Sequence, residues 1–113
     1  MKKFHFALDL IDDPESIKKY EEHHAPGNAW PEVVAHDKAC GILSIEIFRT
    51  GNRMILIMET EDDFDLEEKA KKDAANPMIK KWEDFMWTFQ KPLPWAKPGE
   101  KWVLMDQIFK SDY

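Results

Sequence analysis

A hairpin near the middle of the chain constrains the fold more than any other feature. Apolar residues recur at alternate positions from Ile42 to Thr50 and again from Arg53 to Thr60, and the pair Gly51-Asn52 separates the two segments. Alternation with a period of two predicts strands, and such a pair between them predicts a tight antiparallel turn. The second segment is apolar on both faces, so we expect it to be a central strand that is covered on both sides.

The flanking segments predict the rest of the architecture. Phe4 to Leu10 alternates and predicts a first strand, and Lys101 to Phe109 predicts a last one. Four helical segments are predicted: Asp13 to about His24, Trp30 to about Lys38, Leu66 to Ala75, and Met78 to Gln90. The order β-α-β-β-α-β predicts a ferredoxin-like plait, an α+β fold with helices on one face of a four-stranded antiparallel sheet. A chain of 113 residues predicts a single domain over positions 1–113.

A plait leaves one face of its sheet without a covering layer. The face expected to carry Leu43, Ile45, Ile47, Ile55 and Ile57, or its complement, is too apolar to remain in water. We therefore expect a homodimer, of the dimeric α/β-barrel type, in which a second copy covers this face.

An unusual polar pair lies on the inward stripe of the first predicted helix. Ile17, Tyr20 and His24 are spaced i, i+3 and i+7, so they share one helical face. A phenol and an imidazole one turn apart can both transfer protons, and histidine titrates near neutrality. The pattern is also typical of a core tyrosine and a histidine at a helix end, and this structural interpretation stays open beside the catalytic one. The neighbouring His23 is expected to be solvated.

Aromatic residues are abundant, with five Trp and seven Phe. Trp30 follows the first helix closely, and Trp82 belongs to the last predicted helix. Large aromatics are typical of a core, and they also form the flat walls that bind a sugar ring.

Charge and cysteine content exclude several classes of protein. The net charge is -6, and no basic patch is interleaved with aromatics, which disfavours nucleic acid and anionic membranes as partners. The single Cys40 provides no intrachain disulfide and no thiolate metal cluster, and it fits a reducing cytoplasm. The first residues lack the apolar stretch of a signal peptide, so we expect a cytoplasmic protein.

The acidic run from Glu61 to Asp65 has two interpretations. It could bind a divalent metal, but its spacing resembles no known metal loop. A solvated entry to the following helix is the favoured interpretation.

Several motifs together resemble the L-rhamnose mutarotase family. They are Tyr20-x-x-x-His24-x-Pro26, Trp30-Pro31-Glu32, Trp82 shortly before Phe85-Met86, and the ending Gln107-Ile108-Phe109. The resemblance implies a dimeric ferredoxin-like enzyme that interconverts the α and β anomers of 6-deoxy-L-hexoses without a metal or cofactor. It also implies that His24 is the proton donor and that Tyr20 and Trp82 contact the sugar.

The chain departs from the rhamnose enzymes at a few positions. Ile45 stands where they typically have Tyr, Glu83 stands where they have a second Trp, and two extra residues lie between Pro26 and Trp30. The segments Ala25-Pro26-Gly27-Asn28, Trp82-Glu83 and Pro94 to Trp102 resemble a branch assigned to L-fucose. The resemblance therefore leaves L-fucose and L-rhamnose as near-equal candidates for the substrate.

Mutarotation requires one proton delivered to the ring oxygen and one removed from the anomeric hydroxyl. The expected catalytic residues are His24 and Tyr20. The expected substrate-binding residues are Trp82 and Trp30, which could stack on the sugar, and the carboxylates Glu83 and Asp9. Two alternatives remain: a non-catalytic sugar-binding module, and a small dimeric oxygenase or haem-associated protein with the same topology.

Overall fold

The computed structural model describes all 113 residues, in five strands and four helices. In chain order the elements are β1 (Lys2–Leu10), α1 (Pro14–His23), α2 (Pro31–Ala39), β2 (Ile42–Thr50), β3 (Arg53–Thr60), α3 (Leu66–Ala74), α4 (Pro77–Trp87), β4 (Gln90–Lys91) and β5 (Val103–Leu104). None of these helices has the length and apolar character that a membrane crossing requires.

The strands form one antiparallel sheet in the order β2-β3-β1-β4, and β5 pairs with β1 beside β4. This is the strand order of a ferredoxin-like plait, as the sequence predicts. The predicted central position of β3 is confirmed, because β3 pairs with β2 on one side and β1 on the other. Gly51 adopts a φ of 57° in the turn between β2 and β3, a left-handed conformation that favours glycine.

The main core lies between the sheet and the helices. Its buried members are Leu8, Leu10, Tyr20, Met54, Trp82, Met86 and Phe89. The strand residues of this cluster alternate with outward-facing ones, whereas the helical residues follow a spacing of three or four. Burying a leucine of this kind contributes about 1.5–3 kcal/mol to folding, so this cluster fixes how α1 and α4 lie on the sheet.

The two helices that position the site begin at side-chain caps. Asp13 accepts a hydrogen bond from the main-chain N–H of Ser16 at 3.0 Å, and Pro14 occupies the first turn of α1. Asn76 caps α4 by accepting from the main-chain N–H of Met78 at 3.0 Å. The predicted start of α1 is therefore confirmed, and α4 begins at Pro77, one residue before the predicted Met78.

Helix α4 is shorter than predicted. It ends at Trp87, where the sequence indicates a helix to Gln90. The hydroxyl of Thr88 donates to the carbonyl of Phe85 at 2.6 Å, and Gln90 and Lys91 instead pair with β1. The free edge of β1 supplies main-chain hydrogen bonds that a further helical turn would forgo.

The last strand is also much shorter than Lys101 to Phe109. Only Val103 and Leu104 pair with β1, after which Met105 donates one main-chain hydrogen bond to His5. Ile108 and Phe109 are 96% and 75% exposed, so the apolar end of the predicted strand has no surface of its own chain to pack on.

The apolar residues of the hairpin are divided between the two sheet faces differently from the prediction. Ile45 and Ile47 lie opposite Met58 and Leu56, on the face that carries the helices. Ile55 and Ile57 point to the other face, which we call the open face because no helix covers it. The two-residue turn pairs Thr50 with Arg53, so each odd-numbered residue of β2 next to the turn lies opposite an even-numbered residue of β3. Ile45 and Ile47 therefore cannot share a face with Ile55 and Ile57, and the predicted grouping of these residues is wrong.

Candidate active site

The end of α1 brings the phenol of Tyr20 and the imidazole of His24 into direct contact. Their ring centroids are 4.3 Å apart, and the planes are inclined by 32°. Tyr20 is buried in the core, and His24 directly follows the last residue of α1 as its C-terminal cap. One helical turn separates the two residues, so the helix itself sets their geometry.

The main chain fixes which nitrogen of His24 carries a proton. Nδ1 donates to the carbonyl of Tyr20 at 2.8 Å, so in the neutral ring Nε2 is the nitrogen with the free lone pair. Part of the side chain is exposed, but packing against its aromatic neighbours withdraws the ring from water and lowers the pKa of His24 below 6.5. His24 is therefore neutral at pH 7, with Nε2 ready to accept a proton.

Tyr20 is a neutral hydrogen-bond donor under the same conditions. Burial raises the pKa of its phenol to about 12, while the hydrogen bond from Gln90 opposes this effect and the negative charge of Glu83 adds to it. The amide Nε2 of Gln90 donates to the Tyr20 hydroxyl oxygen at 3.3 Å, and both side chains are buried.

A cavity of about 400 Å³ opens beside this pair. It lies between α1 and the end of the hairpin, and its volume falls within the range of small-molecule sites. The lining residues are Leu10, Tyr20, Glu21, His24, Ile47, Phe48, Arg49 and Met54. An apolar floor with a few convergent polar groups is the composition typical of a small-molecule site.

The two tryptophans predicted to bind substrate lie next to His24. The ring of Trp82 is 5.7 Å from that of His24, and Trp30 packs edge-on against Trp82 at 5.0 Å. They support the imidazole from the side and do not line the cavity itself. His23, expected to be solvated, is partly buried with its ring 4.8 Å from Phe85, because α1 lies close to α4.

The structure pairs Glu83 with a lysine. Lys101 Nζ contacts Glu83 Oε2 at 2.6 Å and also lies 4.7 Å from the ring centre of Trp87. Glu83 is close enough to influence the titration of Tyr20, yet it does not line the cavity.

Asp9 lies on the open face and away from the cavity. Both of its carboxylate oxygens accept from Arg53, at 2.8 and 3.0 Å, and Asp9 is 6% exposed. The ring of Trp95 covers the guanidinium at 5.2 Å. The structure therefore brings Tyr20 and His24 to the cavity but does not bring Asp9 there.

Sequence reasoning did not identify two charged residues at the cavity. Arg49 Nε donates to Glu21 Oε1 at 2.7 Å and links the end of β2 to α1. Glu21 follows Tyr20 directly, but its neighbour Arg49 lies 28 residues further along the chain, so only the fold shows the pair.

The acidic run after β3 has a structural role at its end. Asp65 caps α3 by accepting from the main-chain N–H groups of Glu67 and Glu68, at 2.8 and 3.1 Å. No three His, Cys, Asp or Glu side chains lie close enough together to hold a metal ion.

Comparison with known proteins covers nearly the whole chain. The model of the L-rhamnose mutarotase family matches residues 3–111. The L-fucose mutarotase of Xanthomonas campestris pv. campestris is 46% identical over 109 residues, which are 96% of this chain and 87% of that protein. A UPF0734 protein of Dictyostelium discoideum is 31% identical over 116 residues, with 99% and 91% covered.

Two solved structures share the fold. The L-rhamnose mutarotase of Formosa agariphila has a TM-score of 0.70 at 21% identity and covers 99% of this chain and 100% of its own. The tetracenomycin F2 cyclase of Streptomyces glaucescens has a TM-score of 0.63 at 12% identity, with 98% and 99% covered. Both likenesses confirm the ferredoxin-like α+β architecture.

The family match and the similarity to an L-fucose mutarotase agree with the family resemblance of the sequence. They confirm the prediction of an isomerase that interconverts the anomers of a 6-deoxy-L-hexose. The chain belongs to the L-rhamnose mutarotase family.

Proposed function

We propose that the cavity beside Tyr20 and His24 is where the anomers are interconverted, with His24 as the proton-transfer group. The observation that carries this assignment is the hydrogen bond from His24 Nδ1 to the Tyr20 carbonyl. It orients the ring and leaves Nε2 free to exchange protons with a bound sugar.

The two side chains account for both proton movements. In ring opening, neutral His24 accepts the proton of the anomeric hydroxyl as the bond between C1 and the ring oxygen breaks. The electron pair of that bond goes to the ring oxygen, which takes the proton of the Tyr20 hydroxyl. After rotation about C1–C2, closure on the other face of the carbonyl returns both protons, and His24 is then the donor. Positioned acid–base catalysis of this kind is worth about 10² to 10⁴-fold.

L-Fucose is the proposed preferred sugar. The support is the 46% identity to an L-fucose mutarotase over most of both chains. L-Fucose and L-rhamnose differ in the orientation of the hydroxyls at C2 and C4, so a site that binds one of them through hydrogen bonds can disfavour the other.

Anomeric exchange measured by NMR saturation transfer tests the proposal. The protein should accelerate exchange of L-fucose above the rate in buffer, and L-rhamnose to a smaller extent. His24→Asn should remove most of this gain, at least tenfold, because it deletes the titrating nitrogen. Retention of the gain in a folded variant would contradict the assignment and favour a different base.

The neighbouring histidine provides a matched control. His23→Asn makes the same chemical change one residue away, at a ring that packs on Phe85 and does not line the cavity. It should keep most of the rate. Equal losses in both variants would point to damage at the end of α1 and not to a role in proton transfer.

We also propose that the active form is a homodimer formed through the open face. Phe48 and Ile55 lie side by side on that face and are 55% and 38% exposed. Three strands of eight or nine residues provide a surface about 30 Å long, which suits a standard interface of about 800 Å² per partner. The mass in solution should be twice 13.4 kDa.

The protein is further proposed to act in the cytoplasm as one domain over positions 1–113. Its one cysteine, Cys40, is free, as expected for a reducing compartment. Cell fractionation should recover it with cytosolic enzymes, and denaturant should unfold it in a single transition.

A further inference from the structure

Gln90 is a buried polar residue that the mechanism so far leaves without a role. It is 5% exposed and lies in β4 opposite Leu10. Its amide nitrogen donates to Tyr20, but its Oε1 is buried and has no hydrogen-bond partner. Gln90 Oε1 is the only buried side-chain nitrogen or oxygen atom of the protein that lacks a hydrogen-bond partner. A buried acceptor without a partner is costly, and such a group in a native structure calls for an explanation.

The direction of the hydrogen bond from Gln90 to Tyr20 explains why this acceptor has no partner. A phenol oxygen can accept one hydrogen bond and donate another. Gln90 Nε2 donates a hydrogen bond to the Tyr20 oxygen, so the hydroxyl hydrogen of Tyr20 must point in another direction. No other protein atom accepts that hydrogen, and Tyr20 lines the cavity.

We propose that Gln90 is a positioning residue that directs the hydroxyl hydrogen of Tyr20 towards the ring oxygen of the sugar. This inference rests on the proposed function. Gln90 does not line the cavity, so it acts through Tyr20 and not by contact with the substrate. Because the amide is oriented so that its nitrogen donates to Tyr20, its Oε1 is left without a hydrogen-bond partner.

The test measures anomeric exchange of L-fucose with three single variants and one double variant. Gln90→Met has nearly the same shape but cannot hold the phenol, so exchange should slow by about tenfold, the loss expected for one hydrogen bond. Its thermal midpoint should equal or exceed that of the wild type, because the unpaired oxygen is gone. A lower midpoint with a parallel loss of rate would overturn the proposal and indicate a purely structural residue.

Gln90→Glu tests the direction of the hydrogen bond. At this buried position the carboxyl is neutral at low pH and can donate to Tyr20 as Gln90 does, whereas the ionised carboxylate can only accept and draws the hydroxyl hydrogen of Tyr20 away from the cavity. Exchange by this variant, relative to the wild type at the same pH, should therefore fall as the pH is raised from about 6 to about 9. A ratio of the two rates that stays constant over this range would overturn the proposal.

Tyr20→Phe shows whether Gln90 acts through the phenol. In that background Gln90→Met should change the rate by less than about twofold, because the two residues act as one unit. If Gln90→Met and Tyr20→Phe reduce the exchange rate by independent factors that multiply, the inference is overturned and the proposed function remains intact. A wild-type protein that fails to accelerate exchange would overturn the proposed function, and the inference with it.

Discussion

At the scale of single residues, the site depends on two groups that burial holds in their neutral forms. A lowered pKa keeps His24 unprotonated, and a raised pKa keeps Tyr20 protonated. At pH 7 one group can therefore accept a proton while the other can donate one. This combination suits a reaction that moves one proton off the sugar and another onto it.

The rate should depend on pH through His24. The active form is the neutral imidazole, so activity should fall as acid protonates it. The midpoint should lie below 6.5, because the folded environment lowers the pKa of His24. Saturation transfer between pH 4.5 and 8, corrected for exchange in buffer and compared with His24→Asn, measures it. A midpoint above 6.5 would contradict the effect of burial.

Tyr20 should make the folded state sensitive to alkali. Its pKa is about 12 in the fold and 10.0 for a free phenol, so the unfolded chain loses this proton first as pH rises. Stability should fall between pH 10 and 12, by about 3 kcal/mol in all for a shift of two units. Urea unfolding at pH 8 and pH 11 should show a smaller fall in Tyr20→Phe than in the wild type. Equal falls would rule out this contribution.

Sequence reasoning predicts the helical pair better than the charged residues around it. Tyr20 and His24 are four positions apart, and the geometry of one helix is enough to place them together. Asp9 and Glu83 have partners 44 and 18 residues away, in Arg53 and Lys101. Whether a carboxylate faces a ligand or an internal cation depends on tertiary placement, which the local pattern does not contain.

At the scale of elements, the caps of neighbouring helices should differ in importance. Asn76 caps α4 and also donates to His36 at 3.3 Å, whereas Asp65 caps α3, which buries no residue. Asn76→Ala should cost about 1–2 kcal/mol of unfolding free energy. Asp65→Ala should cost less, because α3 contributes little to the core. Urea unfolding measures both, and the reverse order would show that α3 contributes more than its burial indicates.

Element types are predictable here, and the lengths of the last ones are not. The hairpin and α1 carry their own turn and cap signals, so their bounds follow from Gly51-Asn52 and Asp13-Pro14. Gln90 and Val103 pair with different parts of the same edge of β1. Two short segments therefore share an edge that one long strand is predicted to occupy, and competition for that edge is a tertiary property.

At the scale of the whole molecule, the open face and the last residues share one property. Both expose apolar side chains, from Ile55 in the central strand to Phe109 near the end. A second copy that covers the open face accounts for the exposure of Ile55 without any change in the fold. The other cavity-lining residues lie on α1 or on the helix side of the sheet, so a partner on the open face would reach the cavity only at Phe48.

A charge at the centre of the open face should therefore separate the proposed dimer. Ile55→Glu places a carboxylate where two sheets would meet, and light scattering should show a mass near 13.4 kDa in place of twice that value. Val34→Glu is the matched control, since Val34 is similarly exposed, at 39% against 38%, but lies on α2. It should remain dimeric. A wild-type monomer, or a dimer that tolerates Ile55→Glu, would mean that this face meets something other than its own copy.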